Sequence, residues 1–170
     1  REHVTIHRGT VQDRGDTYVG NNNLIMCYVH IGHDSIVKNH TILVNNTALA
    51  GHVVVDDWVI LSGYTLVHQF CKIGAHSFSG MGTAIGKDVP AYVTVSGSPA
   101  EARTINTEGL RRRGFSDASL SDLRRAFKLI YRQGLTLDIA IERLEEMAAD
   151  RPEITPLLES LKLSERGIVR

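Results

Sequence analysis

From Val19 onward an aliphatic residue stands at every sixth position: Val19, Ile25, Ile31, Val37, Leu43, Leu49, Val55, Leu61, Val67, Ile73 and, after Ser79, Ile85. Four residues further on in each hexapeptide, the side chain is small or β-branched almost throughout, from Asn23, Val29 and Ser35 to Ser77, Thr83 and Val89. Glycine follows the aliphatic position at Gly20, Gly32, Gly74, Gly80 and Gly86. An amphipathic helix would repeat its apolar positions every 3.6 residues, and a half-buried strand every two. A period of six fits neither. It predicts a triangular solenoid in which each hexapeptide forms one side, three form a coil, and the aliphatic residue points inward. Spacing does not set the hand of the coil.

Upstream, Ile6 and Val19 are thirteen positions apart, one more than two repeats, so an extra residue is expected in a loop at 12–17, around Gly15 and Asp16. Val4 and Thr5 look like the end of a hexapeptide whose start would precede Arg1. The chain is therefore expected to begin mid-coil, without the cap that natural arrays carry. After Pro90 the repeat stops, and residues 91–115 read as an irregular connection. Helical signals follow. Ser116 is the expected N-cap of a helix burying Leu120, Leu123, Phe127 and Ile130, with Gly134 as its stop; Thr136 caps a second helix with Leu137, Ala140, Ile141 and Leu144 inward. A third helix is expected at 153–163. The expected fold is mainly β: a parallel β-helix over 1–90, the connection over 91–115, and a small α-helical domain over 116–170.

Composition adds exclusions. The formal net charge is zero, so no global field favours nucleic acid or a membrane surface. Residues 1–100 hold six Lys/Arg and seven Asp/Glu, against thirteen and twelve in the rest, which concentrates charge in the C-terminal part. Cys27 and Cys71 have no metal-type spacing. No signal-peptide pattern opens the chain, no apolar run suits membrane insertion, and a cytoplasmic protein with reduced thiols is expected.

The coil makes part of the geometry calculable. Residues one coil apart form a column, with adjacent strands about 4.8 Å apart. His33, Gly51 and Gln69 share such a column, with His52 and His68 beside it and His30 three residues before His33. Four histidines and a glutamine are thus expected outside the core within about two coils. His40 and His76 fall outside this cluster and read as surface residues; His3 and His7 remain unassigned. Two chemistries suit the cluster. A histidine can serve as a general base near neutral pH, with Asp34 holding its tautomer and the Gly51 N–H facing a developing oxyanion. Alternatively, imidazoles could hold Zn²⁺ and activate water, as in β-helical carbonic anhydrases.

Six ordered segments carry a family resemblance: residues 5–10 (TIHRGT), 30–34 (HIGHD), 49–53 (LAGHV), 67–71 (VHQFC), 88–90 (DVP) and 106–115 (NTEGLRRRGF), with Arg166-Gly167-Ile168 in the tail. The chain resembles the UDP-N-acetylglucosamine O-acyltransferases of lipid A synthesis over essentially its whole length. The resemblance implies a left-handed β-helix and a homotrimer with active sites between adjacent subunits. It implies transfer of an (R)-3-hydroxyacyl group from acyl carrier protein to the glucosamine 3-hydroxyl of UDP-N-acetylglucosamine, in the cytoplasm of a Gram-negative bacterium, with no metal or organic cofactor. Carried over by position, His33 is the general base, Asp34 its orienting partner and Gly51 the oxyanion donor. His30, His52, His68 and Gln69 would contact the sugar, pyrophosphate or acyl chain, and Asn106, Glu108, Arg112 and Arg113 the nucleotide and phosphates.

Arginine forks suit phosphate oxygens on independent grounds. The stretch 103–132, with eight Lys/Arg against three Asp/Glu, would also attract an acidic carrier protein. Met81 stands where the family lines its acyl groove; a long side chain there should favour a chain near ten carbons over fourteen, since a pocket discriminates a methylene by about 1–3 kcal/mol. The same side chain could instead fill a packing gap. The family's N-terminal coils, and substrate contacts on them, lie outside this sequence. A β-helical zinc hydratase and a non-catalytic trimeric assembly module stand as alternatives.

Overall fold

The computed structural model describes residues 1–170. Thirteen two-residue strands, from Thr5–Ile6 to Ala84–Ile85, stack into three parallel sheets that form the sides of a prism. The first side carries Thr5–Ile6, His30–Ile31, Ala48–Leu49, Leu66–Val67 and Ala84–Ile85; the second carries Tyr18–Val19, Ile36–Val37, Val54–Val55 and Lys72–Ile73. The third carries Leu24–Ile25, Ile42–Leu43, Ile60–Leu61 and Phe78–Ser79, and is extended by Val93–Ser96. The coils wind left-handed.

The register is the sequence period made physical. His30 pairs with Ala48 and Ala48 with Leu66, one coil apart each time. From Ile31 to Ile85 the aliphatic series is buried, and so is the small or β-branched series from Val29 to Val89. Ser79, the one polar residue in the aliphatic series, bonds the Thr65 hydroxyl at 2.8 Å and accepts the Ser62 N–H at 3.0 Å, so its hydroxyl is satisfied.

Each corner places one residue in left-handed backbone space. The first corner, between sides one and two, does so at Asp34, His52 and Phe70, with φ of 59°, 62° and 66°. The second, between sides two and three, does so at Asn22, His40, Trp58 and His76, followed by Tyr92. The third, between sides three and one, does so at Tyr28, Asn46, Tyr64 and Gly82. Bulky residues there are strained, and stacking between coils offsets the cost. The His52 ring stacks on Phe70 at 4.5 Å and His40 on Trp58 at 4.1 Å.

The segment 91–115 is not irregular. Val93–Ser96 continues the third sheet, Glu101–Ile105 turns back antiparallel to it, and a short helix, α1 (Thr107–Arg112), follows. The hairpin escapes the six-residue pattern because its second strand runs against the solenoid. Three longer elements then pack as helices: α2 (Asp117–Tyr131), α3 (Leu137–Ala148) and α4 (Thr155–Lys162). Ser116 and Thr136 cap the first two as expected, and Gly134 follows α2 at φ 68°. The expected third helix divides into a 3-10 turn, Pro152–Ile154, and α4, because prolines stand at both starts. The tail returns to the solenoid. Ile168 forms a parallel bridge with Asp88, whose carboxylate accepts from the Ser164 hydroxyl at 2.7 Å and the Lys72 N–H at 2.8 Å.

Candidate active site

The first corner gathers part of the expected cluster: His33, Asp34, Gly51 and His52. The His33 ring lies over Gly51: a Cβ on Gly51 would fall 2.7 Å from both Cε1 and Nε2 of His33. Only glycine permits that approach. The His33 Nδ1 sits 2.8 Å from the Asp34 carboxylate, which leaves Nε2 as the nitrogen that can accept a proton. The Gly51 N–H donates to no group in the chain. A free basic nitrogen and a free backbone donor therefore stand together on a half-exposed surface.

Asp34 is held by contacts beyond the repeat. Its carboxylate accepts the Thr10 N–H at 2.9 and 3.1 Å and the Thr10 hydroxyl at 2.8 Å, while its own N–H donates to the Thr17 hydroxyl at 2.9 Å. Burial alone would raise its pKa; hydrogen bonds from His33 and Thr10, with the charge on His52, outweigh that and bring it down to about 2. Asp34 is thus a carboxylate at any physiological pH and fixes the His33 tautomer. The loop 10–17 is pinned at both ends to Asp34. It holds seven inserted residues rather than the one expected, because Ile6 and Val19 stand on adjacent sides and Ile6 pairs with Ile31, 25 positions on, seven more than the 18 of every later coil. It also places Asp13 2.6 Å from the Nδ1 of His52. Beside it lies a cavity of about 720 Å³, lined by residues 6–12, Gly15 and His33. Thr10, Asp13 and Phe70 were missed in the sequence. The loop residues follow no period, whereas Phe70 stands one coil after His52 and the column argument could have found it.

The other expected residues spread around the prism. His30 bonds the Thr5 hydroxyl at 2.8 Å and meets the His7 ring edge-on at 4.7 Å; burial first, then the charge on His7, lowers its pKa. His68 bonds only its neighbour's carbonyl, at Gln69, and faces a groove with Leu66, Ala84 and Pro99, apart from His33. Gln69 makes no side-chain hydrogen bond. Met81 stands at the third corner, 80% exposed, so it fills no gap within the chain.

Asn106, Glu108, Arg112 and Arg113 lie at the second corner. The Asn106 side chain caps α1 by accepting the Gly109 N–H at 3.1 Å, and donates to the His76 carbonyl at 2.9 Å. Glu108 pairs with Arg111 at 3.4 Å and Arg112 at 3.1 Å. Arg113 stacks its guanidinium over Trp58 at 5.2 Å and donates to His76 Nδ1 at 3.3 Å. His76 is therefore not a surface residue. It lies between Trp58 and Tyr92 with Phe115 against its edge. Burial, then the Arg113 charge, lowers its pKa to about 4 against the pull of Asp57. Nor is His40 free, since it covers Trp58. Spacing held the signal: His40, Trp58 and His76 follow one another at one-coil intervals.

His33, Asp34 and His52 offer ligand atoms within 4.8 Å of one another, a donor set that zinc accepts. Comparisons with known proteins weigh between the chemistries. A family model described as "Udp N-acetylglucosamine O-acyltransferase; Domain 2" matches residues 88–169. An acyl-[acyl-carrier-protein]--UDP-N-acetylglucosamine O-acyltransferase from Ectopseudomonas mendocina is 69% identical over the whole chain. The chain spans 66% of the length of that curated relative. Among solved structures, the UDP-N-acetylglucosamine O-acyltransferase from Moraxella catarrhalis superposes with a TM-score of 0.97 at 46% identity, over 98% of this chain and 65% of its own. The UDP-N-acetylglucosamine acyltransferase from Campylobacter jejuni does so at 0.87 and 32% identity, over 99% of this chain and 69% of its own.

Proposed function

The chain belongs to the UDP-N-acetylglucosamine O-acyltransferase family, and from that premise we propose that it transfers an (R)-3-hydroxyacyl group from acyl carrier protein to the 3-hydroxyl of UDP-N-acetylglucosamine, opening lipid A synthesis in the bacterial cytoplasm. The observation that carries the reading is the pairing at the first corner: His33 Nε2, the ring nitrogen that the Asp34 bond leaves free, packs on Gly51, whose N–H is unspent. In the proposed reaction His33 Nε2 takes the proton of the sugar 3-hydroxyl as its oxygen attacks the thioester carbonyl. The oxyanion formed accepts a hydrogen bond from Gly51 N–H. Collapse breaks the carbon–sulfur bond, and the leaving thiolate takes the proton back from the imidazolium. Asp34 stays ionised throughout and stabilises that imidazolium.

Around this centre we assign His30, His52, His68 and Gln69 to the sugar, pyrophosphate and acyl chain, and Asn106, Glu108, Arg112 and Arg113 to the nucleotide end. The two groups occupy different corners of one chain, which favours a homotrimer whose sites form between subunits. The reaction needs no metal or organic cofactor. The test is acyl transfer to UDP-N-acetylglucosamine by the full-length protein, with hydroxyacyl carrier proteins of several lengths. Turnover abolished by His33→Ala and indifferent to a zinc chelator is expected. Absence of transfer from every donor would remove the proposal and return the cluster to zinc chemistry, and unchanged turnover in His33→Ala would assign it a non-catalytic role.

A further inference from the structure

The second corner contains a half-buried histidine that the proposed reaction does not use. We propose that His76 is a positioning residue for the nucleotide end of the site, holding Arg113 through its ring and Asn106 through its backbone carbonyl. This rests on the reading that Arg113 and Asn106 meet the nucleotide, and deepens it. Arginine can only donate, so its 3.3 Å contact to His76 Nδ1 requires a lone pair there and places the ring proton on Nε2. Aromatic rings flank the imidazole on three sides. It is layered between Trp58 and Tyr92, at 6.2 and 5.6 Å between centroids, and Phe115 closes its edge at 5.4 Å. The charged groups that face it are Arg113 and Asp57.

Arg113 has no carboxylate partner, unlike Arg111 and Arg112, which share Glu108. Its guanidinium is held by a neutral acceptor and an aromatic face, at 5.2 Å from the Trp58 centroid. Such a mount fixes the fork while leaving its charge uncompensated, which is what an incoming pyrophosphate requires. The same residue anchors Asn106. With its Nδ2 donating to the His76 carbonyl and its Oδ1 capping Gly109, Asn106 is locked at the start of the helix bearing Arg112.

The experiment separates ring from acceptor. His76→Phe keeps the stack and removes the lone pair; Phe70 shows that phenylalanine fits a corner, at φ 66°. His76→Asn keeps an acceptor near the Nδ1 position, in a residue that tolerates left-handed backbone. We expect His76→Phe to raise KM for UDP-N-acetylglucosamine about tenfold, the scale of a hydrogen bond to a charged group, with kcat within about twofold. His76→Asn should restore most of the loss. In an Arg113→Ala background His76→Phe should add nothing. If Arg113→Ala raises KM but His76→Phe does not, or if their effects add, the positioning role is overturned while the nucleotide site stands. If Arg113→Ala leaves KM unchanged, the nucleotide role of Arg113 falls and takes this inference with it. Should His76→Phe fail to fold, the ¹⁵N resonance of His76 Nδ1 in the unmodified protein decides: an unprotonated acceptor shifted by Arg113→Ala supports the role, and a protonated or unresponsive nitrogen ends it.

Discussion

At Gly51 a hydrogen atom is the only side chain that leaves room for the His33 ring. A methyl group there would press on Cε1 and Nε2 at 2.7 Å, and the ring would have to turn. Gly51→Ala should therefore cut acyl transfer on the order of 10²-fold or more, the scale of losing an oxyanion donor. Stability should move by no more than about 0.5 kcal/mol, because the strained contact is the mobile end of a half-exposed side chain. Comparing kcat with the urea midpoint checks this, and a parallel fall in both would point to misfolding instead. Asp34→Asn makes a different error: it can present an N–H to His33 Nδ1 and favour the wrong tautomer. Serine proteases lose about 10⁴-fold in kcat from the equivalent change, and a large kcat loss with little change in KM is expected here. At Met81, exposure rather than packing is the guide. Met81→Gly should shift preference from donors near ten carbons towards longer ones, read as the ratio of kcat/KM values; an unchanged ratio would detach Met81 from the acyl groove.

The hexapeptide is the element on which stability rests. Leu49→Ala, at a fully buried inward position, should cost about 2–5 kcal/mol in chemical unfolding. Leu66→Ala, on the same side but pointing out at 55% exposure, should cost about 0.5 kcal/mol or less. The corner columns add a pH dependence. The ordinary histidine pKa of 6.5 falls to about 4 at His76 in the fold, so charging is easier in the unfolded chain. Its contribution is then fully present above pH 6.5 and is lost as pH drops through 4. His76→Phe should flatten that part of the stability curve, measured by thermal melts across the interval. The period-six pattern made the core and the His33–Gly51 contact legible because both follow from the length of one coil. It concealed whatever the coil does not repeat. The antiparallel strand at 101–105, the loop that brings Thr10 and Asp13 to Asp34 and His52, and Arg113's docking on Trp58 depend on non-periodic contacts. His76 was misread for another reason: an outward position on a bare prism becomes half-buried once α1 and Phe115 cover that corner.

Across the whole molecule, the residues proposed as base, as acyl-length determinant and as nucleotide contacts occupy three corners of one prism. The proposed trimer, with each site shared between two subunits, has a direct consequence for mixed assemblies. Neither His33→Ala nor Arg112→Ala subunits alone should be active, but trimers refolded from an equal mixture should recover about a quarter of the wild-type rate, since each site draws on two subunits. No recovery would place both residues in the same subunit's site. The C-terminal tail adds a property of another kind. Its return to the last coil joins the Asp88 N–H to the Gly167 carbonyl at 3.0 Å and the Val169 N–H to the Asp88 carbonyl at 2.9 Å. Lys72 grips the Leu163 carbonyl and Glu165 alongside. Tension applied along residues 163–169 should therefore load these bonds first and pass into the last coil through Asp88 and Lys72. The tail should then part before the coils below it can peel one at a time.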